Sequence, residues 1–155
     1  MKHDPAPLVI RPLHPLTADA RALIDASQMA LLEVYPPEEC FSSTAEELAV
    51  PGAQFFAAYL GDAPVGCVAL VDTGRYGEVK RLYVAPEARG RGVGTALMDT
   101  LETAAHDFGL PVLKLETGEA LAAACALYRA RGYVECEPFG GYPDIESNLF
   151  LEKPL

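Results

Sequence analysis

The chain is poor in positive charge. Its 155 residues hold 12 lysines and arginines against 22 aspartates and glutamates, a formal net charge of −10. That balance argues against a nucleic-acid partner, because a phosphate backbone demands a basic face. Long apolar runs are missing too. No run approaches the ~20 residues that a bilayer span needs. The N-terminal "MKHDPAPLVIRPLHPL" has no apolar stretch followed by a small-residue cleavage site. The expectation is a cytoplasmic protein with no membrane partner. Metal-binding patterns are also absent. Cys40, Cys67, Cys125 and Cys136 are widely spaced and form no C-x-x-C pair, while His3, His14 and His106 stand alone. No metal is expected. Cys67 and Cys125 lie in apolar surroundings, "PVGCVAL" and "AAACALY", and read as small core residues.

What is plentiful is hydrophobic surface, 50% of the residues, enough for a sizeable core in one domain over 1–155. "LVIRPL" (8–13) reads as a strand, and Thr17 as the N-cap of a helix from Ala18 to Val34 that "YPPEEC" breaks. Apolar positions Ala20, Leu23, Ile24, Met29, Leu31 and Leu32 give that helix an imperfect stripe. Ser43 or Thr44 caps a short helix through Leu48. "AQFFAAYL", "PVGCVALVD" and "YGEVKRLYV" form a meander of three strands with short turns. "VGTALMDTLETAAHDFG" has helical period, "PVLKLET" alternates as a strand, and "EALAAACALYRARG" is a helix stopped by Gly132. "YVECEPF" and "SNLFLEK" complete the order as two strands. The fold class is mixed α/β, with a parallel pair where the helix crosses from 76–84 to 111–117.

Charge is unevenly placed along this order. Residues 75–91 carry Arg75, Lys80, Arg81, Arg89 and Arg91 against only Glu78 and Glu87. This basic segment runs into "RGRGVGTALM", a glycine turn that opens a helix. A helix N-terminus with glycines close by is an anion site, because its amides lack intrahelical acceptors. A P-loop is excluded, since no lysine follows Gly94. A dinucleotide fingerprint fits poorly. The glycines run G-x-G-x-G, position 95 is threonine, and Glu116 lies too far on.

The stretch "LYVAPEARGRGVGTALM" resembles the signature of the GNAT acetyltransferase superfamily, [Q/R]-x-x-G-x-[G/A], with Arg89, Gly92 and Gly94 at its fixed positions. The strand order and "ALYRARGY" follow the same pattern, so the resemblance covers roughly residues 8–155. It implies a central, mostly antiparallel sheet of 6–7 strands with about four helices, and acetyl-CoA as co-substrate. The amides of Gly90 to Thr95, including Arg91 and Val93, would cradle its diphosphate, with side-chain charge from Arg89 and Arg91. Leu82, Tyr83 and Val84 would pair with its pantetheine arm like an added strand. The implied activity is N-acetyl transfer to a primary amine of a small molecule or peptide by direct attack in a ternary complex. A non-catalytic acyl-CoA-binding module is the alternative.

The resemblance also implies the catalytic groups. Tyr128, in "LYRARGY", matches the helix-end tyrosine that reaches the CoA sulfur, and is the candidate general acid. Glu78, eleven residues before Arg89, is the candidate base. Strand alternation places Glu78, Lys80 and Leu82 on one face and Val79, Arg81 and Tyr83 on the other. Many relatives carry asparagine seven residues before the tyrosine. Leu121 stands there, with Thr117 or Glu119 as substitutes for the lost contact. The acceptor amine is expected among "EVYPPEECF" and "FGGYPDIES". These segments contain Glu33, Glu38, Glu39, Asp144 and Glu146, with Tyr35, Phe139 and Tyr142 as aromatic walls. The final "NLFLEK" is a candidate for pairing across a homodimer.

Overall fold

The computed structural model describes residues 6–155; His3 and the start of the N-terminal stretch lie outside them. The chain runs β1 (Leu8–Leu13), α1 (Ala18–Leu32), α2 (Ala45–Leu48), β2 (Ala53–Leu60), β3 (Ala63–Asp72) and β4 (Gly77–Val84). It continues with α3 (Val93–Asp107), β5 (Val112–Thr117), α4 (Ala122–Ala130), β6 (Val134–Glu135) and β7 (Leu149–Pro154). The boundaries have local causes. The Thr17 side chain accepts the Ala20 N–H and starts α1. Pro36 and Pro37 follow its end, where proline cannot continue a helix. The cap of α2 is Thr44, not Ser43. Thr44 Oγ1 accepts the Glu47 N–H at 3.1 Å and Glu47 Oε1 accepts the Thr44 N–H at 3.1 Å.

Seven strands form one sheet in the order β1-β2-β3-β4-β5-β7-β6. Every neighbouring pair is antiparallel except β4 and β5, which the α3 crossover makes parallel. Alternation along the strands feeds two cores. Phe56, Ala58, Val68, Leu70, Val79, Leu113 and Leu115 meet Leu97, Met98 and Leu101 of α3 on one face. Phe55, Ala57, Tyr59, Cys67 and Ala69 meet Leu23 and Ile24 of α1 on the other. Met29 is not part of the α1 stripe; it is 63% exposed, and Ser27 takes an inward place instead.

Two irregularities in β4 shape the molecule. Cys67 pairs with Tyr83 and Ala69 with Lys80, so two residues of β4, Arg81 and Leu82, oppose one of β3. This is a β-bulge, and Arg81 takes φ 59, a conformation that costs a non-glycine residue roughly 1–3 kcal/mol. The bulge breaks the alternation expected from sequence. Lys80 and Tyr83 now share the α1 face through their partners Ala69 and Cys67. The Arg81 side chain reaches α1 as well. Beyond the bulge, Leu82 and Val84 pack toward the α3 core. The second irregularity is a split. β4 and β5 pair only at Gly77–Leu113 and Glu78–Lys114. From Val79 onward the edge of β4 that faces β5 is unpaired.

The chain's end departs from expectation in two places. β6 is two residues long rather than seven, because Pro138 and the positive-φ Gly140 and Gly141 interrupt any extended pairing. β7 lies inside the sheet between β5 and β6, which removes "NLFLEK" as the edge strand of a dimer.

Candidate active site

A cavity of about 680 Å³ opens where β4 and β5 part. Its walls come from the end of α1, the 39–43 loop, the bulged half of β4, the start of α3, the β5–α4 connection and the 142–148 segment. The fold brings these together because, among the described residues, the one parallel strand pair is also the pair that separates.

At one end lies the glycine turn. Gly90 and Gly92 have φ 79 and 77, and a Cβ at either would meet nothing within 4 Å. The turn is therefore an open concavity lined by backbone. Ala96 N–H donates to Gly92 O at 3.0 Å, so the amides of Val93, Gly94 and Thr95 precede the first intrahelical bond of α3. The first turn of α3 carries no acidic residue. Gly94 has a different purpose. A Cβ there would press on Leu127 Cδ2 at 3.0 Å, so glycine lets α3 and α4 approach. Leu82, Tyr83, Val84, Arg89, Gly90, Gly92, Val93, Gly94 and Thr95 all line the cavity. Arg91 is exposed and outside its lining. Of the substitutes for asparagine at Leu121, Thr117 lines the cavity and Glu119 points to solvent.

Tyr128 is 5% exposed and lines the cavity from α4, its ring 5.6 Å from that of Tyr133. Its hydroxyl makes no hydrogen bond with the described residues, yet is not sealed off from the cavity. Burial, with smaller contributions from Cys125 and Glu116, pushes this phenol well above its ordinary pKa. The proton stays on the oxygen at neutral pH.

Glu78 also lines the cavity, but its carboxylate is engaged. It is 6% exposed, forms an ion pair with Lys80 Nζ at 3.2 Å, and accepts the hydroxyl of Tyr142. Tyr142 in turn accepts from Lys80. Phe139 packs edge-on against Tyr142 and Phe150 packs tilted against it, while Tyr76 packs edge-on against Phe139. Glu116 is different. It sits on β5 two residues after Lys114, the in-register partner of Glu78, so both acids face the same side. Its side chain lines the cavity with no hydrogen bond or ion pair among the described residues. Burial first, and the charge of Glu78, push its pKa up to about 7, against the opposing pull of Lys80. Of the two acids, Glu78, the sequence candidate, is held by Lys80 and Tyr142, whereas Glu116 has no such partner among the described residues.

The opposite wall holds part of the segments in which the sequence leads one to expect the acceptor. Glu33, Glu39, Tyr35, Phe41, Ser147 and Tyr142 line it, whereas Glu38, Asp144 and Glu146 do not. Tyr35 spans the mouth. Its hydroxyl accepts the Ala120 N–H at 3.1 Å, and its ring lies where a Cβ on Gly118 would sit. Arg81 joins this wall from the bulge, a residue that sequence reasoning placed on the other face.

Known proteins share this sequence pattern and fold. The model of the acetyltransferase (GNAT) family matches residues 20–133. The chain is 41% identical to the IAA acetyltransferase of Azospirillum brasilense, over 91% of this chain and 94% of that one. A Klebsiella pneumoniae crystal structure assigned to the acyl-CoA N-acyltransferases superposes with TM-score 0.80 at 33% identity, covering 97% and 99% of the two chains. The PaiA N-acetyltransferase of Thermoplasma acidophilum, crystallised with coenzyme A, has the same fold at TM-score 0.75 and 18% identity, over 96% and 99%. The chain belongs to the GNAT acetyltransferase family. It is an N-acetyltransferase with that family's mixed, mostly antiparallel sheet. Among the described residues, no helix is long and apolar enough to cross a membrane.

Proposed function

We propose that the protein transfers the acetyl group of acetyl-CoA to a primary amine, by direct attack in a ternary complex, with Glu116 as base and Tyr128 as acid. The observation that carries this reading is the pairing of an unpartnered carboxyl near neutral pKa with a protonated phenol on the walls of one cavity. The open glycine turn fits a diphosphate, and the unpaired edge of β4 fits an extended amide-bearing arm. Acetyl-CoA supplies the acetyl group as a thioester. Glu116 takes a proton from the substrate ammonium, freeing the nitrogen lone pair that attacks the thioester carbonyl; the N–C bond forms and the C–S bond breaks. Tyr128 holds the proton that the departing sulfur receives. Burial, with a smaller push from neighbouring Glu78, holds Glu116 basic enough to work near pH 7. The cavity walls contribute by holding the amine in place, which is often the larger share of such a rate.

Release of CoA thiol on mixing acetyl-CoA with a panel of primary amines tests this. At least one amine should give acetyl-CoA-dependent release that Tyr128→Phe slows. Tight acetyl-CoA binding with silence across the panel would overturn it in favour of a non-catalytic acyl-CoA-binding module.

A further inference from the structure

We propose that Arg81 binds a carboxylate on the acceptor, so that this cavity takes amines that also carry an acid group, free amino acids and their relatives among them. This rests on the acetyl-transfer reading above and names the substrate class for it. Among the described residues, Arg81 is the one lysine or arginine that is both sheltered from solvent and without an ion pair. Lys80, Lys114, Arg131 and Lys153 are sheltered and each has a carboxylate partner. Arg11, Arg75, Arg89 and Arg91 have none, but they are exposed. In a chain of net charge −10, a half-buried cation left without a carboxylate is unexpected.

Its neutral partners fix the guanidinium without cancelling its charge. Nε donates to Ser43 O at 2.9 Å, one terminal nitrogen to Ser27 Oγ at 2.9 Å, and the other to Gln28 Oε1 at 2.9 Å. Those acceptors are themselves anchored. The Ser27 hydroxyl donates to Ile24 O at 2.8 Å, and Gln28 Oε1 also accepts from Ser42 at 2.7 Å. The group is therefore held in one orientation on the wall formed by Ser27, Ser42 and Ser43, with N–H donors left over. Asp25 and Glu47 act on it only from beyond ion-pair distance. Burial lowers its pKa, the signature of a cation short of compensation. A planar, pre-positioned guanidinium facing a cavity is matched by a carboxylate. Glu116 and Arg81 on the walls of one cavity then suit the amine and the acid of one molecule.

Binding can be read without turnover. CoA-saturated protein is titrated by calorimetry with N-acetylphenylalanine, N-acetylleucine and N-acetylalanine, and with the carboxamide of each. The acids should bind roughly 10- to 100-fold more tightly than the amides in the wild type. Arg81→Gln should abolish that preference while CoA affinity stays unchanged, and Arg81→Lys should keep part of it. Equal binding of acid and amide, or binding of neither, overturns the proposal, as does a preference that survives Arg81→Gln. If Arg81→Gln fails to fold, the wild-type comparison and Arg81→Lys decide. Peptides with an acidic side chain beside the amine, run against free amino acids, separate the two sources of the carboxylate. An acid preference without thiol release from any amine would uphold this site and overturn acetyl transfer.

Discussion

Glu78 stands opposite Lys114 on the last rung that joins β4 to β5. One residue further along β4 the strands have parted. That rung marks where the strands part, and Glu78 and Glu116 line the cavity beside it. Glu78 is spent on Lys80 and Tyr142. Glu116, just past the rung on β5, faces the opening. The split and the chemistry are therefore one feature of the fold.

Glu116→Gln should leave CoA affinity intact and lower kcat by about 10²- to 10⁴-fold, the usual worth of general base catalysis. Calorimetry and thiol-release kinetics check the two halves. The sign for stability is separate. A carboxyl whose folded pKa is raised stabilises the fold below its unfolded value, near 4.5, and loses that contribution as pH rises through about 7. The glutamine variant should thus be as stable as the wild type, or more so, in denaturant melts at pH 8.

Tyr128→Phe removes one hydroxyl and keeps the ring against Tyr133. Since that hydroxyl has no partner among the described residues, stability should change little. The turnover number should fall by about tenfold or more while the Kd for acetyl-CoA holds. A large fall in melting temperature with normal turnover would make Tyr128 a packing residue only.

The glycine turn is open at Gly92, so a side chain there meets ligand rather than protein. Gly92→Glu strains a positive φ and sets a carboxylate in the anion cradle. Acetyl-CoA affinity should fall by at least about 100-fold, with the circular dichroism spectrum retained. Gly92→Asn, which tolerates positive φ, should lose much less.

Glu102 offers a contrast far from the chemistry. It accepts from Arg131 at 2.9 Å, from Lys153 at 2.7 Å and from Tyr133 at 3.1 Å, tying α3 to the end of α4 and to β7. Burial resists its ionisation, but Arg131 and Lys153 prevail and hold its pKa below the usual value. Its stabilisation is present above the unfolded pKa and disappears as pH falls through the folded one. Glu102→Gln should cost about 2–3 kcal/mol in urea melts at pH 7 and much less at pH 3. Kinetic constants of the folded variant should be unchanged.

Much of the fold was legible in the sequence because it is written in local patterns. Short apolar runs joined by a tight turn marked β2 and β3, alternation marked β5, helical period marked α3, and candidate caps at Thr17 and at Ser43 or Thr44 marked α1 and α2. The glycine turn was legible for the same reason. The base was not. What distinguishes Glu116 from Glu78 is the company each keeps, and Tyr142 reaches Glu78 across 64 positions of sequence. The bulge was hidden because Arg81 takes a positive φ without being glycine. That single residue reversed the faces assigned to the second half of β4 and moved Arg81 into the cavity wall.

The pH dependence of kcat/KM for thiol release, compared between the wild type and Glu116→Gln, tests the central claim most directly. The account predicts a limb rising with pH through about 7 in the wild type and its disappearance in the variant, with acetyl-CoA binding unchanged. The same limb in both proteins, at similar rates, would contradict it.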